Sequence, residues 1–372
     1  MSDAVAQPPV QTQTPGDASS LGGSRAPWRP SPPGILARLV VLAGLLAVVL
    51  AAPPMMPGVT TNILSRVATF VIVALSLNIL IGYTGQISLG HGAFLGAGAF
   101  AAGIAITNGG LPWAFAQVVA IVVGGLFALL LGLVALRVKG LYLALVTLAY
   151  GLFAQEVLFG LGPVSRGGAG MPADRPSWAM GDVAYAYVCI AAVALVWALD
   201  WRLTSSRAGR AIQALRDSEK VAASWGINVT SYKLLAFVLS GMVAGLAGGL
   251  FASIEQLVST QTFTLNLSLT FLFMAVLGGA GSRPGVVLGA VLLGFLAFFL
   301  DQMSDNMGLP VDGSAAPLFA AVLVIGVLLF VPGGLAQLLR GPIRWLSFRP
   351  FRDPRGKDDS PAAMGGGDDG RP

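Results

Sequence analysis

Long runs of apolar residues, separated by short polar segments, make up most of the sequence between residues 35 and 339. Most runs approach the ~20 residues that an α-helix needs to cross a hydrocarbon core about 30 Å thick, and they lack the alternation of a membrane β-strand. We therefore predict an all-α integral membrane protein with about ten transmembrane helices. The predicted spans are 35–52, 66–82, 88–107, 113–136, 141–160, 183–200, 232–254, 265–281, 285–300 and 315–339.

Two of these spans are short and lie close together. Only Ser282, Arg283 and Pro284 separate 265–281 from 285–300. The pair fits either two separate crossings or one re-entrant hairpin, and the sequence does not decide between them.

The composition supports the membrane assignment and excludes several kinds of site. Of 372 residues, 55% are hydrophobic and 10% are charged, whereas soluble chains average about 25% charged residues. The 49 glycines fit helices that approach one another closely in a bilayer. A single cysteine, Cys189, and a single histidine, His91, exclude an internal disulfide, a multi-thiolate metal site and a histidine-cluster metal site.

The basic residues predict the orientation of the chain. With both termini in the cytoplasm, all but three of the 22 Lys and Arg residues (Arg66, Arg166 and Arg175) lie on the cytoplasmic side, as the positive-inside rule requires. We predict a disordered cytoplasmic tail at 1–33 and a transmembrane domain at 34–340. A cytoplasmic tail at 341–372 is basic at first and then acidic and glycine-rich.

The longest charged loop, 204–232, has the pattern of an amphipathic helix. Ser205 or Ser206 can cap it, apolar residues recur at helical spacing behind the cap, and Gly226 supplies a natural stop. The apolar face of such a helix fits either a groove on a soluble partner or anionic lipid headgroups, and the pattern is the same for both.

A second cluster of interest is the glycine-rich junction from Gly82 to Gly98. Such a run weakens a lipid-facing helix but suits a broken helix whose backbone lines a solute path. For His91 alone, local hydrogen bonding within close helix packing is the competing interpretation. The candidates for the translocation path are Asn78, Gly82, Gly85, Gln86, Ser88, Gly90, His91 and Thr147.

Four stretches together resemble the branched-chain amino acid ABC transporter permeases, and of the two subunit types the M-type more than the H-type. They are the loop segment Gly209 to Phe237, the junction Leu77 to Phe94, the stretch Gly140 to Leu148, and a glycine signature that includes Gly278, Gly279, Gly281 and Gly285. The chain departs from the E-A-A-x-x-x-G loop motif of ABC permeases because Lys220 and Val221 separate Glu219 from the two alanines.

The resemblance implies a type II ABC importer permease that carries leucine, isoleucine or valine into a bacterial cell across the inner membrane. It implies four kinds of contact: a second, H-type permease, two ATP-binding subunits, an extracytoplasmic solute-binding protein and the bilayer, with no nucleic acid. The residues implied to couple the loop to the ATP-binding subunits are Gly209, Arg210, Arg216, Glu219, Ala222, Ala223 and Gly226.

The chain is expected to be a transport subunit rather than an enzyme. It contains no G-x-x-x-x-G-K-[ST] phosphate loop, so ATP and Mg²⁺ are expected on the partner subunits, with no cofactor or metal on this chain. A urea or short-amide ABC importer remains the main alternative, and an ATP-independent channel or secondary carrier the remote one. Pairing with a copy of itself rather than with a second permease also stays open.

Overall fold

The residues that the structure describes fold almost entirely into helices. The computed structural model describes residues 44, 47–135, 138, 140–307, 316–331 and 333–339. The predicted tails 1–33 and 341–372 lie outside the described residues, as does most of the predicted first span, 35–52.

The described helices have the following bounds. In chain order they are α1 (Gly58–Thr84), α2 (His91–Thr107), α3 (Trp113–Ala135), α4 (Leu141–Phe153), α5 (Gly162–Ser165), α6 (Asp182–Ser205), α7 (Arg207–Asp217), α8 (Glu219–Ser224), α9 (Val229–Glu255), α10 (Leu265–Gly278), α11 (Arg283–Met307) and α12 (Ala316–Phe330). A π-helical turn, Ala154–Leu158, extends α4, and 3-10 turns occupy Ser177–Ala179 and Thr260–Thr262. Two short antiparallel strands, β1 (Met171–Pro172) and β2 (Leu257–Val258), pair with Met171 opposite Val258. Residues 47–55 and 335–339 are also helical.

Six of the helices in the described part of the chain are long and apolar enough to cross a membrane. They are α1, α3, α4 with its π-helical turn, α6, α9 and the part Arg283–Leu300 of α11. Helices α2 and α10 and the part Leu318–Phe330 of α12 are apolar but shorter. Every predicted span after the first therefore coincides with an apolar helix, while the count of ten crossings and the orientation stay predictions.

The pair of short predicted spans forms two helices of unequal length. Helix α10 has 14 residues, which at 1.5 Å per residue extend about 21 Å, short of a hydrocarbon core about 30 Å thick. Helix α11 has 25 residues and is long enough. Between them Gly279 and Gly281 adopt positive φ angles of 96° and 95°, which favour glycine.

Small residues hold the central helices together. Gly241, Gly245 and Gly249 recur every four residues along α9 and face a matching row on α3 that includes Ala120 and Gly124. A Cβ added at Gly245 would clash with the carbonyl oxygen of Ala120. The backbones approach this closely because both surfaces lack bulky side chains, which is how helices gain packing contact in a bilayer.

The predicted loop helix is split in two. Ser206 caps α7 by accepting a hydrogen bond from the Gly209 N–H at 3.0 Å. Ser218 then breaks the helix, because its backbone is extended and its side chain accepts from the Val221 N–H and so caps α8. The prediction of one continuous helix was wrong at Ser218, where the capping hydroxyl competes with helix continuation. The predicted cap and stop are found at Ser206 and Gly226.

Candidate functional site

The apolar face of the loop helix α7 is covered by the chain itself. Ile212 and Leu215 are 1% and 2% exposed, and Ile212 packs in a cluster with Leu80 of α1, Leu131 of α3 and Phe237 of α9. Ile212 and Leu215 therefore rest on the ends of the spans rather than on a partner or on lipid headgroups, while contact of the loop itself with either one stays a prediction. What α7 presents outward is its charged side, where Arg207 and Arg210 are exposed.

A close approach and an ion pair fix the two loop helices in place. Gly209 lies against the end of α6, where an added Cβ would clash with the Leu203 carbonyl oxygen. Glu219, the first residue of α8, forms a salt bridge with the buried Lys233 Nζ on α9. Of the two alanines in the predicted coupling set, Ala222 is buried and Ala223 is exposed. Arg210 donates to the Ser205 carbonyl at 3.1 Å, within its own loop.

Arg216 connects this loop to the other two predicted clusters. Its Nη1 donates to the Gly82 carbonyl at 2.5 Å, at the end of α1. The same guanidinium lies beside Gly281, whose N–H donates to the Asn78 Oδ1 at 2.7 Å. The loop, the glycine-rich junction and the glycine signature, which are far apart in sequence, therefore meet at one point.

A buried ionic cluster lies close by and was not predicted as a site. Asp200 near the end of α6 is 4% exposed, pairs with Arg283 of α11, and accepts a hydrogen bond from the Tyr83 hydroxyl at 2.8 Å. Arg283 also donates to Thr204. The available signal was a lone aspartate at the end of an otherwise uncharged span, which usually has a partner.

The predicted path residue His91 sits in a continuous chain of hydrogen bonds. Its Nε2 lies 3.0 Å from the Ser240 Oγ of α9, and its Nδ1 lies 3.2 Å from the Ser88 Oγ. Ser240 donates to the Ser76 carbonyl of α1 at 2.7 Å. With the Ser240 proton used in that way, the ring donates from Nε2 and accepts from Ser88 at Nδ1, so one neutral imidazole joins three helices.

The break between α1 and α2 holds Gly85, Gln86, Ser88 and Gly90, whereas Asn78 and Gly82 lie within α1 and Thr147 lies within α4. Gly85 ends α1 with a φ of 71°, and residues 86–90 are not helical. Thr147 on α4 accepts from the Leu89 N–H at 2.9 Å, and an alanine Cβ at Gly90 would clash with the Thr147 carbonyl oxygen. Gln86 is buried beside Thr84, whose hydroxyl donates to it at 3.2 Å.

An apolar cavity of about 720 Å³ lies elsewhere, between α2, α3 and the segment that follows α4. Its lining is almost wholly apolar and includes Phe100, Ile104, Val123 and Phe127, together with the polar Asn108. The lining residues include none of the eight path candidates, whose role in a solute path stays a prediction.

Residues 59–332 match the family described as "Branched-chain amino acid transport system / permease component". The chain belongs to this family. The match includes the coupling loop, the glycine-rich junction and the glycine signature, which are the three elements that converge on Arg216. The permease is therefore a multi-pass membrane protein and a transport component rather than an enzyme.

Individual relatives agree with the family match. The permease is 28% identical over 338 residues to the "High-affinity branched-chain amino acid transport system permease protein LivM" of Salmonella typhimurium, covering 82% of this chain and 76% of that one. The Escherichia coli protein of the same name matches equally. "Autoinducer 2 import system permease protein LsrC" of Yersinia pseudotuberculosis is 29% identical over 45% of this chain and 50% of its own. A solved complex, "PsaBC from Streptococcus pneumoniae in complex with Fab", has a TM-score of 0.44 at 16% identity over 81% of this chain and 99% of that one, too distant to inform the fold.

Proposed function

We propose that this permease is the membrane subunit of an ATP-driven importer that moves leucine, isoleucine and valine into the cytoplasm. The observation that carries the proposal is the family match over residues 59–332, together with the similarity to LivM proteins over most of both chains. The M-type subunit, rather than the H-type, is the one that the relatives favour.

Its partners are a second permease, two ATP-binding subunits and an extracytoplasmic solute-binding protein. ATP and Mg²⁺ bind to the ATP-binding subunits, because this sequence has no phosphate loop of its own. The permease spans a bacterial inner membrane about ten times with both termini in the cytoplasm, an arrangement supported by the distribution of its Lys and Arg residues.

The geometry supports a route by which a partner moves the spans. The ATP-binding subunits contact the loop 204–232, and α7 is packed on the ends of three spans, so displacement of the loop displaces those ends. Arg216 extends the connection to the Gly82 carbonyl and the turn at Gly281. The glycine-rich junction and Thr147 are proposed to line the path, and the near absence of charge there leaves selectivity to the solute-binding protein.

Uptake of labelled leucine and labelled urea tests this function. Cells that lack the gene are compared with cells in which it is restored, and ATP is depleted while the proton gradient is held. Leucine uptake that needs both the gene and ATP is the expected result. Gene-dependent urea uptake would change the assigned substrate but keep the mechanism. Gene-dependent uptake that persists without ATP would overturn the importer assignment in favour of a channel or carrier.

A further inference from the structure

The most exposed large apolar side chain of the loop 204–232 is an aromatic one. Trp225, at the end of α8, is 81% exposed, and Val221, four residues before it, is 57% exposed. Side chains four residues apart lie on the same face of a helical turn, so the two form one small apolar patch. We call Val221 and Trp225 the loop-tip patch.

The patch is separate from the surface by which the loop packs on the spans. The apolar side chains that face the spans are Ile212, Leu215 and Ala222, and all three are buried. Exposing a tryptophan to water costs free energy that burial against a partner would recover. The loop-tip patch faces away from the chain and is therefore available to a partner.

The backbone holds Trp225 in one position. The Gly226 N–H donates to the Ala223 carbonyl at 3.0 Å, and the Ile227 N–H donates to the Ala222 carbonyl at 3.1 Å. With Gly226 at a φ of 79°, these bonds form a Schellman motif at the end of α8. The ion pair between Glu219 and Lys233 ties the other end of α8 to α9. A side chain on so fixed a backbone loses little conformational entropy when a partner binds it.

The exposed charges of the same loop indicate the chemistry of that partner. Arg207, Arg210 and Lys220 are all exposed on the same loop, and Asp217 is its one exposed carboxylate in the described chain. An aromatic anchor on a loop whose exposed charges are mostly positive fits an apolar pocket with an acidic rim. A lipid surface fits less well, because a helix that lies on a bilayer buries a whole apolar face, and here those faces are turned to the spans.

We propose that Trp225 is the anchor by which this permease holds its ATP-binding subunit, inserted with Val221 into an apolar pocket that has acidic side chains at its rim. The inference rests on the proposed function and deepens it, because it names the contact residue. It also relocates the contact from the amphipathic face of α7 to the tip of α8.

Affinity between the purified permease in nanodiscs and the purified ATP-binding subunits of the same importer tests the anchor. Trp225→Ala is expected to weaken binding about 30-fold or more, as truncation of a tryptophan hot spot does, while Trp225→Phe retains part of the affinity. Trp178→Ala is the matched control, because Trp178 is 67% exposed and lies in the loop before α6. Thermal stability of all variants is measured alongside. It is expected to change little for the Trp225 variants, because that side chain is 81% exposed, whereas Trp178→Ala also loses the edge contact of Trp178 with the Trp113 ring.

A label at position 225 separates the partner from the lipid surface. Trp225→Cys is labelled with a nitroxide, and the natural Cys189 is buried and stays unreacted. In nanodiscs, the nitroxide is expected to be accessible to a water-soluble paramagnetic relaxation agent, and to lose that accessibility when the ATP-binding subunits are added. A nitroxide that is accessible to a lipid-soluble relaxation agent, with or without the subunits, would overturn the proposal and assign the patch to the membrane surface.

The two levels of the proposal fail in different ways. Wild-type permease that does not bind the ATP-binding subunits at all would overturn the proposed function and the anchor with it. Wild-type binding that Trp225→Ala weakens less than about threefold would overturn the anchor alone.

Discussion

Asp200 and Arg283, 83 residues apart in the sequence, form an ion pair that joins helix α6 to the start of α11. The Asp200 side chain is almost fully buried, and the Tyr83 hydroxyl of α1 donates to the same carboxylate oxygen. Three helices therefore depend on one charge, next to the loop that is proposed to receive the ATP-binding subunits.

Removal of Arg283 is expected to destabilise the permease strongly. Arg283→Ala leaves the Asp200 carboxylate buried without its cation, a change that typically costs about 3–5 kcal/mol. Thermal unfolding of the detergent-solubilised protein measures the loss. The more exposed pair Arg66 and Glu255 provides the control, since Arg66→Ala should cost at most about 1 kcal/mol. Equal losses in the two variants would show that the Asp200 cluster has no special role.

Addition of one methyl group at Gly245 is expected to separate α9 from α3. The new Cβ would clash with the Ala120 carbonyl oxygen, and overpacking of this kind typically costs about 1–3 kcal/mol. Gly326→Ala in α12 is the matched control, because a Cβ there meets no atom of the described chain within 4 Å and alanine favours the helix by up to about 1 kcal/mol. The measurement is the midpoint of thermal unfolding, which should fall for Gly245→Ala and hold or rise for the control.

Loss of the Arg216 side chain is expected to uncouple ATP hydrolysis from uptake. Arg216→Ala removes the charged donor to the Gly82 carbonyl, which is worth about 1.5–3 kcal/mol, so uptake per ATP hydrolysed should fall about tenfold or more in reconstituted vesicles. Binding of the ATP-binding subunits should persist.

Arg210→Ala serves as the comparison for Arg216, because Arg210 lies on the same helix and, among the residues that the structure describes, its side chain donates to the Ser205 carbonyl of its own loop. It should retain most of the coupling. If both variants lose coupling to the same degree, coupling depends on the general positive charge of α7 and not on the specific contact of Arg216 with Gly82.

The hydrogen-bonded chain through His91 is expected to stabilise the packing of three helices. Ser240→Ala removes the acceptor of the His91 Nε2–H in a buried position, which typically costs about 1–3 kcal/mol. A double-mutant cycle with His91→Phe should give a coupling free energy between about 0.5 and 3 kcal/mol. A coupling near zero, combined with loss of leucine uptake at full stability in His91→Phe, would instead favour His91 as part of the solute path.

The positions of the helices could be predicted from the sequence, but their partners could not. Apolar length is a local property, so each predicted span after the first coincides with a helix. Ser206 marks the start of the loop helices and Gly226 marks their end, through local hydrogen bonding and backbone preference. The pairing of Asp200 with Arg283 depends on how α6 and α11 pack, which no local pattern encodes.

The candidate site shows the same division. The coupling loop could be found by its charge and spacing, yet an amphipathic pattern states only that one face is buried and not what buries it. Ile212 therefore gave no indication that the spans of the same chain cover it. The exposure of Trp225 could not be predicted, because a single tryptophan in a loop carries no periodic signal and its exposure depends on the three-dimensional packing of the loop.

The meeting of Arg216 with Gly281 has an evolutionary consequence. A Cβ at position 281 would lie 2.7 Å from the Arg216 Nη1, so any residue larger than glycine must displace the guanidinium. The two positions are therefore sterically coupled, although they lie 65 positions apart in the sequence, and the positive φ of Gly281 adds a constraint of its own. Lineages that have lost the arginine at 216 are released from the steric part of the constraint on 281, and substitutions at the two positions should be correlated across the family.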